Sequence, residues 1–253
     1  MKTSQIFRPT LNAGTVYARL AGSTDPLQSI GGIEALELSI AEDTKKQQDY
    51  SKGGGGTRAQ VKRVTDVTMK ATLQDLNPLN LARAMFGVNT SVAGATVTNR
   101  PHTAYKGGLI ALEHLNPTSV VVKTTDATPV VIAATGNYEV RPEGIFVLDD
   151  ALVITDGQAI TVDYTYGAYD LIQALTSAAP ILEMRYAGIN EAASGSPCVV
   201  DLFRVQLGAA KGLGLINDDF ATLEIEGEVL LDPTKTGVGV SKFFRTQLVA
   251  PAA

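Results

Sequence analysis

The hydrophobic period changes most clearly between Gln60 and Gly87, QVKRVTDVTMKATLQDLNPLNLARAMFG. Val67, Met69, Ala71 and Leu73 alternate with Thr68, Lys70, Thr72 and Gln74. That period of two predicts a strand with one buried and one wet face. At Asn77 the period lengthens. Asn77 is a suitable helix cap, and Pro78 falls in the first turn, where a missing N–H breaks no hydrogen bond. Leu81 with Met85, and Ala82 with Phe86, fall at i,i+4 spacing and give one apolar side. The pattern predicts a helix Pro78–Phe86, packed on the sheet through Leu81, Met85 and Phe86. Gly87 is expected to supply the left-handed residue that ends it.

Upstream, Leu36, Leu38 and Ile40 alternate with Glu37 and Ser39, which predicts a strand over Ile33–Ala41. A further strand is expected at Thr15–Leu20. The two patterned strands are joined by Glu42–Thr57, EDTKKQQDYSKGGGGT, which is polar, charged and ends in glycines. No core can be built from it, and it is expected to be a flexible loop at the tip of a long hairpin. A loop of this length inside a compact domain is unusual and points to function or disorder.

Val88–Lys106 is small, polar and Thr-rich, like a linker. Short β-like runs follow at Thr118–Lys123, Pro129–Ala133, Tyr138–Arg141, Ile145–Leu148, Leu152–Ile154 and Ala159–Tyr166. Turn signals such as Asn116-Pro117 and Asp156-Gly157 separate them, as in a small sandwich or barrel. The earlier style resumes after Ala178. Leu182, Met184 and Tyr186 alternate with Glu183 and Arg185, and Cys198–Leu207 reads as a strand. In Phe220–Leu230, Leu223, Ile225 and Val229 face one way while Glu224, Glu226 and Glu228 face the other. Phe243–Val249 is the last expected strand. The resulting division is 1–100 and 179–253 as two parts of one domain, with 101–178 inserted as a β module.

Composition narrows the function classes. The 253 residues carry a net charge of -5, which argues against a basic grip on nucleic acid. There is one cysteine, Cys198, so no intrachain disulfide forms. Its expected role is that of a small buried hydrophobe. No apolar run approaches a membrane span, and the N-terminus lacks a signal-peptide core.

Recognisable catalytic chemistry is missing from the sequence. GGGGTR is followed by no Gly-Lys-Ser/Thr, and GLGLIND lacks the context of a dinucleotide fingerprint. His102 and His114 lie in loop-like segments without metal-ligand spacing. Asp149-Asp150 and Asp218-Asp219 read as turn formers. No catalytic, cofactor-binding or metal-ligating residue, and no small-molecule ligand, is therefore predicted. The Glu224, Glu226 and Glu228 row is either a solvated outer face or, in a ring, an acidic wall repeated by every subunit.

Three patterns together resemble the major tail tube protein of long-tailed bacteriophages, of the siphovirus type. They are LELSIAEDTKKQQDYSKGGGGTRAQVKRVTDVTMKATL, DLNPLNLARAMFG and PCVVDLFRVQLGAAKGLGLINDDFATLEIEGEVLLD. The resemblance covers about residues 30–90 and 180–235, and the central block looks like an Ig-like module displayed outside some tail tubes. It implies a mainly β fold, a tail-tube β-sandwich or half-barrel flanked by one short α-helix, with that module inserted. It also implies hexameric rings stacked into a tube, a virion component assembled in the host cytoplasm.

The implied partners are copies of the chain, the tail tip or initiator, the tape measure and the tail terminator. Double-stranded DNA would pass without specific binding. Glu42, Asp43, Lys45, Lys46, Tyr50, Lys52, Gly53, Gly54, Gly55 and Gly56 then become an inter-ring contact loop. Thr68, Lys70, Thr72, Gln74, Glu224, Glu226 and Glu228 become a candidate lumen face. Competing readings are a β-rich adhesin or decoration module that binds through the central block, and a hydrolase with a site assembled across strands.

Overall fold

The computed structural model describes residues 9–51, 53 and 55–249. Strands hold 54% of the residues and helix 4%, so the protein is mainly β. The chain forms two compact units, one from 1–89 with 172–253 and one from 90–171. The first part of the discontinuous unit contains β1 (Asn12–Leu20), β2 (Gln28–Ser29), β3 (Ile33–Asp49), β4 (Gly56–Leu73) and α1 (Pro78–Ala84). β5 (Val88–Val92) leads into the central unit. There lie β6 (Ala95–Ala104), β7 (Leu109–Ala111), β8 (Thr118–Thr124), β9 (Val131–Ile132), β10 (Tyr138–Arg141), β11 (Gly144–Val147) and β12 (Gln158–Tyr166). β13 (Tyr169–Gln173) leads back to β14 (Ile181–Asn190), β15 (Ser196–Leu207), β16 (Leu223–Val229) and β17 (Phe244–Leu248).

The discontinuous unit is built on one eight-stranded sheet in the order β2-β1-β14-β15-β16-β4-β3, with β17 added against β15. The recorded strand pairs are antiparallel. One face of the sheet buries Ala18, Met69, Leu73, Leu182, Met184, Leu223 and Ile225. These residues alternate with the exposed polar positions, as the period of two requires.

The helix covers that apolar face, but it is shorter than its pattern predicts. It ends at Ala84, Met85 caps it, and Phe86 takes the left-handed conformation at φ 49°. Gly87 is needed for a different reason: a Cβ there would sit 2.5 Å from the Gln173 carbonyl oxygen. Leu81 packs on the core as expected. Ala82 and Ala84, rather than Met85 and Phe86, are the buried apolar helix residues. Asn80 is buried too, and its Nδ2 donates to the Ile30 and Asp75 carbonyls at 2.7 and 3.0 Å. Ala84 belongs to the core cluster with the sheet residues, and Asn80 ties the helix to the β2–β3 connection.

The central unit has its own core, including Val122, Ile145, Ile160, Val162 and Tyr164. Its sheets are β6-β12-β8-β9 and β10-β11-β7. Residues 88–106 are not a linker. β6 pairs with β12 from Ala104↔Gln158 to Ala95↔Tyr166, so the central unit begins about ten residues before the expected boundary at 101. Thr-rich alternation without large apolar residues hid this strand, because its inward positions are filled by Val97, His102 and Ala104. His102 is therefore a strand residue rather than a loop residue. Leu152–Ile154 forms no strand; Ile154 is buried within an irregular turn.

Candidate assembly surfaces

The largest departure from the sequence reading lies at the hairpin tip. Most of Glu42–Thr57 is not a loop. β3 runs to Asp49 and β4 starts at Gly56, and the register continues to Asp49↔Gly56. Pairing of backbone N–H and C=O groups does not require apolar side chains, so the ladder continues where amphipathic patterning stops. Bulges interrupt it between Ala41 and Glu42 and between Gln47 and Gln48. Among the expected contact residues, Glu42, Asp43, Lys45 and Lys46 lie on β3, Gly56 opens β4, and Tyr50, Gly53 and Gly55 lie in the tip. Lys52 and Gly54 lie outside the described residues.

Among the described residues this ribbon has no third strand. β16 meets β4 only between Thr68 and Leu73, so Ile40–Asp49 and Gly56–Val67 pair with each other alone. At about 3.3 Å per residue the two-stranded arm is roughly 30 Å long. Ile40, Val61 and Val64 are each more than half exposed on it, and Tyr50 at the tip is 89% exposed. Two cross-arm and along-arm ion pairs, Lys62–Glu42 at 3.0 Å and Lys45–Asp43 at 3.1 Å, are also exposed. Exposed pairs of this kind contribute little, and a two-stranded hairpin alone is marginal in water.

The candidate lumen residues are brought together on the wet face of the sheet. Glu224, Glu226 and Glu228 stand opposite Thr72, Lys70 and Thr68. Lys70 faces Glu37 across the other side. The Glu226 carboxylate accepts from Lys211 at 2.7 Å and Lys70 at 3.0 Å. The Lys211 hydrogen bond first, and then that from Lys70, hold the Glu226 carboxyl below its ordinary value. The hydrogen bond to Glu226 raises the Lys70 ammonium in turn. Gln74 lies beyond the end of β4, where its N–H donates to the Gly32 carbonyl.

The same face continues into charges that sequence reasoning did not assemble. Arg19 pairs with Glu183 at 2.7 Å across β1 and β14. Asp201 on β15 takes Arg185 from β14 at 2.5 Å and Arg245 from β17 at 2.7 Å. Burial pushes the Asp201 carboxyl up, but the hydrogen bonds from Arg185 and Arg245 outweigh it and hold the group below its ordinary value. The Glu183 and Arg185 alternation was the available signal. Their partners depend on strand register, which a single sequence does not display.

In the central unit, His114 stacks on Tyr166 with ring centroids 3.7 Å apart, and its Nδ1 lies 2.9 Å from the Tyr164 hydroxyl. That packing accounts for His114 structurally. Among the described residues no three His, Cys, Asp or Glu side chains are grouped to hold a metal ion. Nor is any helix among them long and apolar enough to cross a membrane.

A search of the curated proteins finds no match. The model of one family, described as "Protein of unknown function UCP028589", matches residues 9–247. With nearly its whole length covered by that match, the chain belongs to this family of unknown function.

Proposed function

We propose that the chain is the structural subunit of a phage tail tube, in which copies close into rings and the rings stack. The observation that carries this reading is the free-standing β3–β4 arm. It exposes apolar side chains and two rows of backbone on a ribbon that is marginal alone. Contact with another copy would bury both. The outer edge of β3 is likewise unpaired among the described residues, and closing a ring is one way to remove such an edge.

In this reading the wet face of β4 and β16 lines the tube. Glu37, Glu224, Glu226 and Glu228 outnumber Lys70 and Lys211 there. The excess negative charge would keep DNA phosphates from sticking as the genome passes. The Lys70–Glu226 pair makes the lining mixed in sign, which suits a conduit that neither grips its cargo nor strongly repels it. The remaining partners are the tail tip that starts polymerisation, the tape measure inside and the terminator that stops it. The setting is the virion, and no catalytic step is assigned.

Deleting Lys45–Gly56 tests the assignment of the arm. The expected product still melts cooperatively as a folded β protein and does not stack. Tubes of normal length from this variant would remove the arm from the account.

A further inference from the structure

The connection from Gly208 to Thr222 contains no strand or helix. Unstructured connections of this length are uncommon in compact domains and are often functional. Its first half is anchored: the Ala210 N–H donates to the Ala84 carbonyl at 2.8 Å, and Leu213 packs on the core. Its second half is presented outward. Leu215 is 85% exposed, Ile216 96% and Phe220 95%. Between them lie Asp218 and Asp219, neither in an ion pair among the described residues. The segment thus combines uncovered apolar side chains with uncompensated negative charge.

The wet face of the sheet offers the complement. Arg19, Glu183 and Asp201 stand on that face, because their neighbours Ala18, Leu182, Met184 and Leu202 fill the core. There a cleft of about 400 Å³ opens between the β1–β14–β15 surface and the turn at Asp232–Lys235. That is large enough for an apolar side chain with its neighbours. Arg204 and Lys235 line it and make no ion pair among the described residues. Phe203 and Pro233 supply apolar walls, with the Lys235 ammonium 4.8 Å from the Phe203 ring centre. Asp232 stays ionised, held by the Thr234 N–H and hydroxyl, and its charge also acts on Lys235 and Arg204. With Arg19 and Glu183 also lining the cleft, three cations face two carboxylates and the site keeps a net positive charge.

We infer that the Leu215–Phe220 segment of one copy docks into the Arg204–Lys235 cleft of the next. Asp218 and Asp219 meet the two cations, and Leu215, Ile216 or Phe220 fills the apolar part. Loop and cleft are two different patches of one subunit, so the contact is heterologous. Contacts of that type propagate into rings or filaments instead of closing a dimer. The inference rests on the assembly reading above, and it names a contact separate from the β3–β4 arm.

Two charge-reversed proteins test it: D218K/D219K in the loop and R204E/K235E in the cleft. Asp218 and Asp219 are exposed and Arg204 and Lys235 partly exposed, and thermal melting verifies folding of each protein. Each alone is expected to self-associate at least roughly tenfold more weakly than wild type in sedimentation velocity, because like charges then face each other. Mixed in equal amounts, the two are expected to assemble again. The basic loop of one fits the acidic cleft of the other, and the remaining acidic loop fits the remaining basic cleft. Wild-type association by either variant alone would overturn the proposed contact, and so would failure of the mixture to recover. If those results occur while wild-type protein still forms tubes, the tube reading survives and only this contact falls. A wild-type chain that never self-associates overturns both.

Discussion

Single residues decide how tightly the discontinuous unit is held. Asp201 is the most consequential charged one, because a carboxylate with 9% of its side chain exposed takes both Arg185 and Arg245. Hydrogen bonds to a charged group contribute about 1.5–3 kcal/mol. Both arginines are about half exposed, so solvent screening reduces that. Asp201→Asn is expected to lower stability by about 1–2 kcal/mol in urea unfolding. The folded-state value lies below the ordinary 3.8, so this contribution is present above that pH and is lost as pH falls through the folded value. The gap between wild type and Asp201→Asn should therefore close in strong acid, and a gap that widens there would contradict the assignment. At Gly87 the cause is crowding rather than φ. Gly87→Ala sets a Cβ against the Gln173 backbone and is expected to cost about 2 kcal/mol, read as a lower urea midpoint at unchanged slope.

At the scale of elements, strand positions with large apolar residues were legible from the sequence. Val67–Leu73, Leu182–Tyr186 and Leu223–Val229 are strands with the predicted faces buried. What failed were elements held by backbone pairing or by small residues. The arm carries no apolar stripe, so its polarity predicts a loop. β6 fills its inward positions with Val97, His102 and Ala104, so its pattern predicts a linker. The helix packs through Leu81 and Ala84, and the small Ala84 gives a weak signal beside Met85 and Phe86. The wet-face row was legible strand by strand, but the Asp201 and Glu183 pairs required the register.

The arm now admits a cleaner test than removal of its tip. Thr44–Lys62 can be replaced by Asn-Gly, because Asp43↔Arg63 is a register pair and Asn-Gly favours a two-residue hairpin turn. The shortened chain is expected to stay folded and monomeric in size-exclusion chromatography. Ordinary self-association would show that the arm is dispensable.

For the whole molecule, the central unit reads as an insertion. Gly87 and Gln173 lie against each other in the discontinuous unit, so the cut ends can be rejoined over a short distance. Replacing Thr90–Leu171 by a short Gly-Ser linker is expected to leave self-association intact, because β3, β4, the 208–222 connection and the basic cleft all remain. Loss of assembly from a chain that still folds would make the central unit part of the scaffold.

The proposed hollow tube is built from copies of the full chain. The most direct measurement is negative-stain electron microscopy of the purified protein at high concentration, with and without tail-tip complexes as initiators. Rings or tubes with an open channel are expected. Monodisperse single particles under both conditions would contradict the proposed tube.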